Sequence, residues 1–276
     1  MIDAGNGMAG KVISMIEDSL STEIIPLNFD LDGNFPNHSP NPLLEGSGDQ
    51  IERKVLEEKA DFGVIFDGDA DRIFLIDEKG EMVRGDISLL FLADYFLKKF
   101  PGRAVAYNLI CSKAVPEFIK KMGGIPIRTK VGYVNVSQGL IENNGVVSGE
   151  ISGHYSFKDN YYFDSGIIAL LVFLKIIGES NRKLSEMVKE YFIYEISAEI
   201  NFKVKDKEKI IEKAKEKYKD GKQDFLDGVT VEFKDWWFNL RSSNTEPLLR
   251  LTVEADTKEL LEKKKKELAS FIKKLA

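Results

Sequence analysis

The sequence predicts an α/β chain: two consecutive α/β/α domains with mainly parallel sheets, followed by a small α+β C-terminal domain. Three observations carry this prediction. Short apolar runs of strand length alternate with helix-period segments up to about residue 194. Beyond that point three strand-like runs follow one another before a long closing helix. The 276 residues also exceed one ordinary domain, and 43% of them are hydrophobic, enough for more than one core.

The chain opens on Met1-Ile2-Asp3-Ala4-Gly5-Asn6-Gly7-Met8-Ala9-Gly10, the glycine-rich form of a strand-to-helix turn. Few residues precede the turn, whereas strands usually need about five. The first sheet therefore starts from a stub, or the natural protein extends further towards its N-terminus. Phe35-Pro36-Asn37-His38-Ser39-Pro40-Asn41-Pro42 is a rigid loop in which the prolines prevent regular structure. Residues 60–66 read as a buried strand and 72–77 as a second, with Glu78-Lys79-Gly80-Glu81 as a turn. A helix over 87–100 carries Leu89, Leu90, Ala93, Phe96 and Leu97 on one face. Lys99-Phe100-Pro101-Gly102 breaks that pattern and ends a first domain, 1–100.

The second domain, 101–194, reads as a strand over 104–109, a helix over 113–122, a strand over 124–129, and helices over 166–177 and 184–192. The third, 195–276, starts with an alternating strand over 196–204 and a Lys/Glu-rich helix over 207–219. Strands follow at 229–233, 236–240 and 248–254. A closing helix from about 257 has Leu261, Leu268, Phe271, Ile272 and Leu275 as its apolar stripe, and Lys263-Lys264-Lys265-Lys266 covers its solvated face.

Composition narrows the function classes. The net charge of −6 carries no basic excess, which argues against nucleic acid as the main partner. A single cysteine, Cys111, excludes an intrachain disulfide framework and multi-cysteine zinc sites, and points to a reducing, cytoplasmic setting. No apolar run approaches the roughly 20 residues of a membrane span.

Three motifs carry chemistry. Asp67-Gly68-Asp69-Ala70-Asp71-Arg72 sets three carboxylates at alternate positions between two apolar strands. If the three converge, their repulsion raises their pKa values unless a cation sits among them, and hard oxygen donors at such a loop suit Mg²⁺. Arg72 either pairs with the last aspartate or grips a phosphate oxygen. In Ser148-Gly149-Glu150-Ile151-Ser152-Gly153-His154, an extended backbone would put Glu150, Ser152 and His154 on one face. A carboxylate, a hydroxyl and an imidazole there make a sugar-hydroxyl clamp, and His154 can exchange protons near neutral pH. In Arg241-Ser242-Ser243-Asn244-Thr245-Glu246-Pro247 a guanidinium, hydroxyls and an amide fit a phosphate monoester. Lys130-Val131-Gly132-Tyr133 is a weaker substrate-loop candidate. Ser39 beside His38 is discounted as a nucleophile, because adjacency in sequence does not create nucleophile–base geometry.

In this order the motifs resemble those of the α-D-phosphohexomutase family, in its phosphomannomutase/phosphoglucomutase branch. The resemblance runs from Ile2 to the C-terminus and matches the family's second, third and fourth domains. It implies an intramolecular phosphotransferase (an isomerase) that interconverts hexose 1-phosphate and hexose 6-phosphate through a bisphosphorylated sugar. By the same resemblance Asp67, Asp69 and Asp71 are ligands of a Mg²⁺ cofactor, Arg72 stabilises the phosphoryl group in transit, and His154 accepts a proton. Glu150, Ser152 and His154 hold sugar hydroxyls, with Lys130, Gly132 and Tyr133 beside them. Arg241, Ser243, Asn244 and Thr245 anchor the non-reacting phosphate.

In the family the phosphoryl group comes from a phosphoserine in a first domain, for which this sequence has no counterpart. The implied partners are therefore hexose phosphates, hexose 1,6-bisphosphate and a separate phosphoserine-bearing domain. The alternatives are a sugar-phosphate-binding module without turnover, and a mutase acting on an amino sugar phosphate.

Overall fold

The computed structural model describes residues 1–243 and 246–276, so Asn244 and Thr245 of the third motif lie outside the described residues. The chain divides into two units, Met1–Cys111 with Val115–Tyr191, and Phe192–Ala276 with Ser112–Ala114.

Unit 1 begins with β1 (Ile2–Asp3), α1 (Met8–Ile16), β2 (Pro26–Leu27), α2 (Asp49–Glu58), β3 (Gly63–Phe66) and β4 (Ile73–Ile76). The strands form a sheet in the order β2-β1-β3-β4, parallel except that β4 runs antiparallel to β3. There follow α3 (Gly85–Lys99), β5 (Ala104–Asn108), α4 (Ala114–Lys121), β6 (Ile125–Thr129), α5 (Tyr133–Glu142), β7 (Val147–Gly149), β8 (Tyr155–Phe157), α6 (Gly166–Glu179) and α7 (Leu184–Tyr191). The second sheet, β6-β5-β7-β8, repeats the scheme: parallel up to β7, then an antiparallel β8. Each antiparallel pair has a physical cause, since a parallel crossover needs about a dozen residues and residues 67–72 or 150–154 are too few.

One apolar cluster runs from Ile2, Val64 and Phe66 through Leu89 and Tyr107 to Val147, Tyr155 and Phe173, so the two sheets of unit 1 share a core. The element between them is α3, whose residues Gly85 to Ala93 are all buried and which touches both β4 and β7. A helix that is apolar on all sides needs cover on all sides. The sequence reading attached this helix to the first domain; in the structure it serves both sheets.

Unit 2 comprises β9 (Glu195–Ile196), β10 (Ile200–Lys203), α8 (Lys207–Lys217), β11 (Lys222–Asp224), β12 (Val229–Glu232), β13 (Trp236–Ser242), β14 (Leu248–Ala255) and α9 (Lys258–Leu275). Its sheet is antiparallel, in the order β10-β14-β13-β12-β11, with β9 also on β14. The strand expected over 196–204 is interrupted. Ser197 donates its N–H to Val253 O at 2.8 Å and accepts Val253 N–H on its hydroxyl at 3.0 Å, which replaces part of the ladder. The core is aromatic: Phe238 meets Tyr218 edge-on at 5.0 Å and Trp236 stacked at 5.8 Å.

The glycine-rich start folds as a turn from β1 into α1, anchored by the buried Asp3 carboxylate. Its Oδ1 accepts from Gly5 N–H at 2.8 Å and Asn28 Nδ2 at 3.0 Å, and its Oδ2 lies 3.2 Å from His38 Nε2. His38 Nδ1 lies 2.8 Å from the Ser39 carbonyl, so both ring nitrogens face acceptors and only the imidazolium satisfies both. The Asp3 hydrogen bond, opposed by burial, raises the His38 pKa.

Two outcomes follow from this packing. Phe238→Ala should destabilise unit 2 by about 3–5 kcal/mol, read from tryptophan fluorescence during denaturant unfolding, because both tryptophans lie on β13. A histidine whose folded pKa is raised stabilises the fold fully below its unfolded value of about 6.5 and loses that contribution as pH rises through the folded value. Stability measured across this window should therefore fall with rising pH, and His38→Gln should flatten that fall.

Candidate functional site

The first motif is the hairpin turn between β3 and β4. Ala70 adopts φ +66°, uncommon for a residue with a side chain, and its N–H closes onto Asp67 O at 3.3 Å. This tight turn brings carboxylate oxygens of Asp67, Asp69 and Asp71 within 4.8 Å of one another. Asp67 is buried and Asp69 exposed, so the group grades from core to solvent. Arg72 donates from Nε to Asp67 Oδ2 at 2.6 Å and from its backbone N–H to Asp67 Oδ1 at 3.1 Å. It pairs with the first aspartate of the motif, and Asp71 Oδ1 is 3.8 Å away.

Burial pushes the Asp67 carboxyl above its ordinary range, against the pull of the Arg72 hydrogen bonds and charge. Asp71 Oδ1 is buried and accepts no hydrogen bond. A buried carboxylate oxygen without a donor, among two further carboxylates, fits a divalent metal ion. The donor set passes this test.

The loop is braced from outside. Gly68 accepts Met8 N–H at 3.0 Å and donates to Pro40 O at 3.1 Å. A Cβ on Gly7 would sit 2.4 Å from the Gly68 oxygen, so the turn after β1 can approach only without one. Arg72 also donates from its guanidinium to Asn41 Oδ1 at 3.2 Å. The proline-rich loop thus supports the aspartates. Ser39 Oγ accepts Asn41 N–H at 3.3 Å, and the His38 ring is committed to Asp3, so no nucleophile–base pair forms there.

The second motif is the turn between β7 and β8. It is not extended, as the one-face argument required: Gly153 N–H closes onto Glu150 O at 3.1 Å, with Gly153 at φ +87°. A tight turn fits because β7 and β8 leave only residues 150–154 between them. Glu150 is buried, and its Oε1 accepts from Asn108 Nδ2 at 2.8 Å and Gly132 N–H at 3.0 Å. Gly132 is the N-cap of α5, so the carboxylate also meets the positive end of a helix. Glu150 thereby ties the weak Lys130–Tyr133 candidate loop to the second motif. Tyr133, the first residue of α5, lays its ring over that of His154 at 5.9 Å and 26°. Ser152 is partly exposed at the turn, and Lys130 is exposed.

Backbone pairing joins the two motifs. Arg72 and His154 form an antiparallel bridge, and Ile73 N–H donates to Gly153 O at 3.2 Å. His154 Nδ1 lies 2.8 Å from Asp164 Oδ2 and 3.7 Å from Asp71 Oδ2. Burial opposes protonation of His154, but the Asp164 hydrogen bond and the Asp71 and Glu150 charges outweigh it and raise its pKa. Sequence reasoning missed Asp164, Asn108 and Asn41. A signal existed for Asp164, which immediately precedes the Ser165 cap of an apolar helix; Asn108 and Asn41 act only through distant partners.

In unit 2, Arg241 is the next-to-last residue of β13, directly across from Arg250 on β14. Glu199 bridges the two like charges, pairing with Arg241 and with Arg250 at 3.1 Å. Arg241 is buried and its Nε has no hydrogen-bond partner among the described residues. Ser243 accepts Glu246 N–H on its hydroxyl at 3.1 Å, which shapes the hairpin turn. A buried guanidinium with a free donor suits an anion.

Residues 1–80 match the model of the phosphoglucomutase/phosphomannomutase alpha/beta/alpha domain II, residues 84–194 that of domain III, and residues 199–271 that of the C-terminal domain. A phosphomannomutase of Methanocaldococcus jannaschii is 42% identical over 99% of this chain and 61% of its own length. A phosphomannomutase of Vibrio cholerae is 39% identical over 100% of this chain and 62% of its own. The crystal structure of a phosphoglucomutase/phosphomannomutase family protein from Burkholderia thailandensis superposes with a TM-score of 0.89 at 30% identity, covering 99% of this chain and 60% of that one. The chain thus spans about three fifths of the length of the curated relatives it matches.

Asp71→Asn, which removes one charge from the carboxylate group, should weaken divalent-cation binding by about tenfold or more, measured by calorimetric titration. An unchanged affinity would exclude Asp71 as a ligand.

Proposed function

The chain belongs to the phosphoglucomutase/phosphomannomutase family, and from that premise we propose that it is the metal-, sugar- and phosphate-binding body of a phosphohexomutase. The reaction is the interconversion of hexose 1-phosphate and hexose 6-phosphate through hexose 1,6-bisphosphate. One observation carries the reading: the Arg72–His154 bridge sets a cation-ready carboxylate group beside the turn of Glu150 and His154. Phosphoryl transfer asks for that pairing, a charge-stabilising centre next to groups that bind and deprotonate a hydroxyl.

Asp67, Asp69 and Asp71 would hold Mg²⁺, which when bound supplies positive charge against the phosphoryl group in transit. Arg72, pinned by Asp67 and Asn41, adds its own charge to that stabilisation. His154 is the proton acceptor. Glu150, Ser152 and His154 orient sugar hydroxyls, with Lys130, Gly132 and Tyr133 as the neighbouring substrate segment. Arg241, Ser243, Asn244 and Thr245 hold the phosphate that is not being transferred, and the unpartnered Nε of Arg241 supports that role. In this reading residues 1–100, 101–194 and 195–276 act as three domains. A phosphoserine-bearing domain supplies the phosphoryl group, and the protein works in the cytoplasm.

The test is a coupled assay with Mg²⁺, glucose 1-phosphate or mannose 1-phosphate, and a trace of glucose 1,6-bisphosphate, run beside titration of the bisphosphate. The expected outcome is bisphosphate binding that weakens in Arg241→Ala, and any formation of hexose 6-phosphate abolished by Asp69→Ala. Absence of both binding and turnover would overturn the proposal.

A further inference from the structure

We propose that Asp164 is the positioning residue of His154: its carboxylate keeps the imidazole proton on Nδ1 and so presents Nε2 as the proton acceptor toward a bound hexose hydroxyl. The inference deepens the sugar-site reading above and rests on it for the substrate alone. A neutral imidazole has one N–H and one acceptor nitrogen, and the partner of one nitrogen decides the state of the other. His154 Nδ1 lies 2.8 Å from Asp164 Oδ2, hydrogen-bond distance to a group that can only accept when ionised. Among the described residues none hydrogen-bonds Nε2. The nitrogen that chemistry needs is the one left open.

The carboxylate comes from a fixed backbone. Asp164 pairs with Ser156 of β8 in an isolated bridge, and the next residue, Ser165, donates its N–H to Tyr155 O at 3.1 Å. The Ser165 hydroxyl then caps α6 by accepting Ile168 N–H at 3.2 Å. On the imidazole side the stacked Tyr133 ring limits rotation. A second carboxylate, Asp71, stands 3.7 Å from Nδ1, and Asp71, His154 and Asp164 also bring ligand atoms within 4.8 Å of one another, a second set of cation donors beside Asp67, Asp69 and Asp71. Of the two carboxylates Asp164 is the one at hydrogen-bond distance from Nδ1, an arrangement in which a carboxylate orients a base without contacting the reacting atoms.

The protein has two histidines, so ring ¹⁵N–¹H NMR resolves the question directly, with His38→Gln assigning the spectrum. At a pH where the ring is neutral, His154 should carry its proton on Nδ1 in the wild type. Asp164→Leu, which leaves Nδ1 without that acceptor, should shift the proton toward Nε2, and Asp164→Glu should keep it on Nδ1. In the hexose-phosphate assay Asp164→Leu should lower kcat by about ten- to a hundredfold with KM and Mg²⁺ affinity kept, and Asp164→Glu should recover part of the loss. A wild-type tautomer in Asp164→Leu would overturn the proposal. So would a loss of Mg²⁺ affinity matching that of Asp71→Asn, which would make Asp164 a ligand of the ion. If no form turns over but the bisphosphate still binds, the substrate reading stands, and the NMR comparison decides the role of Asp164.

Discussion

Three carboxylates held within 4.8 Å of one another are the constraint around which unit 1 is arranged. Such a group repels itself, and burial of Asp67 sharpens the cost, because charge is poorly screened away from water. Arg72 offsets part of it through two hydrogen bonds to Asp67. The rest of the bracing keeps the loop from relaxing outward. Met8 and Pro40 hold Gly68, Gly7 yields the space for that approach, and the turn after β7 holds Ile73. Elements distant in sequence thus meet on the backbone of one six-residue loop, and Asp71 Oδ1 is left without a hydrogen bond among the described residues.

The three motifs share a structural situation. Each lies at the end of the first strand of an antiparallel pair: β3–β4, β7–β8 and β13–β14. In the two parallel sheets that pair is where the winding stops and the chain doubles back. Strand ends there are fixed by ladder hydrogen bonds, which gives a rigid scaffold to the loop that follows. Charge is balanced locally in each. Glu150 is met by Asn108 and the start of α5, and Arg241 shares Glu199 with Arg250 across the ladder. The Arg241–Arg250 pair would be unfavourable alone, since like charges directly opposite on a sheet repel. Glu199, on the short link between β9 and β10, turns that repulsion into a clamp on the buried guanidinium.

Much of this was legible because the signals are local. Alternation and turn residues announced β3, β4, β5, β6, β12, β13 and β14. Other elements gave no such signal. The helix α5 starts inside what reads as a strand-end turn, because its N-cap is Gly132, which has no capping side chain, and the Glu150 carboxylate accepts the Gly132 N–H instead. The helix α3 reads as the end of one domain, yet its two buried faces belong to two sheets.

By itself, the sequence determined the order and type of most elements, the three hairpin motifs and the family, since propensity, periodicity and motif spacing act over a few residues. Tertiary structure alone decided who partners whom: Arg72 with Asp67 and Asn41, Glu150 with Gly132, and His154 with Asp164. Those choices depend on the register of strands and the approach of loops far apart in the chain. Separation in sequence carries no information about separation in space until the core has closed.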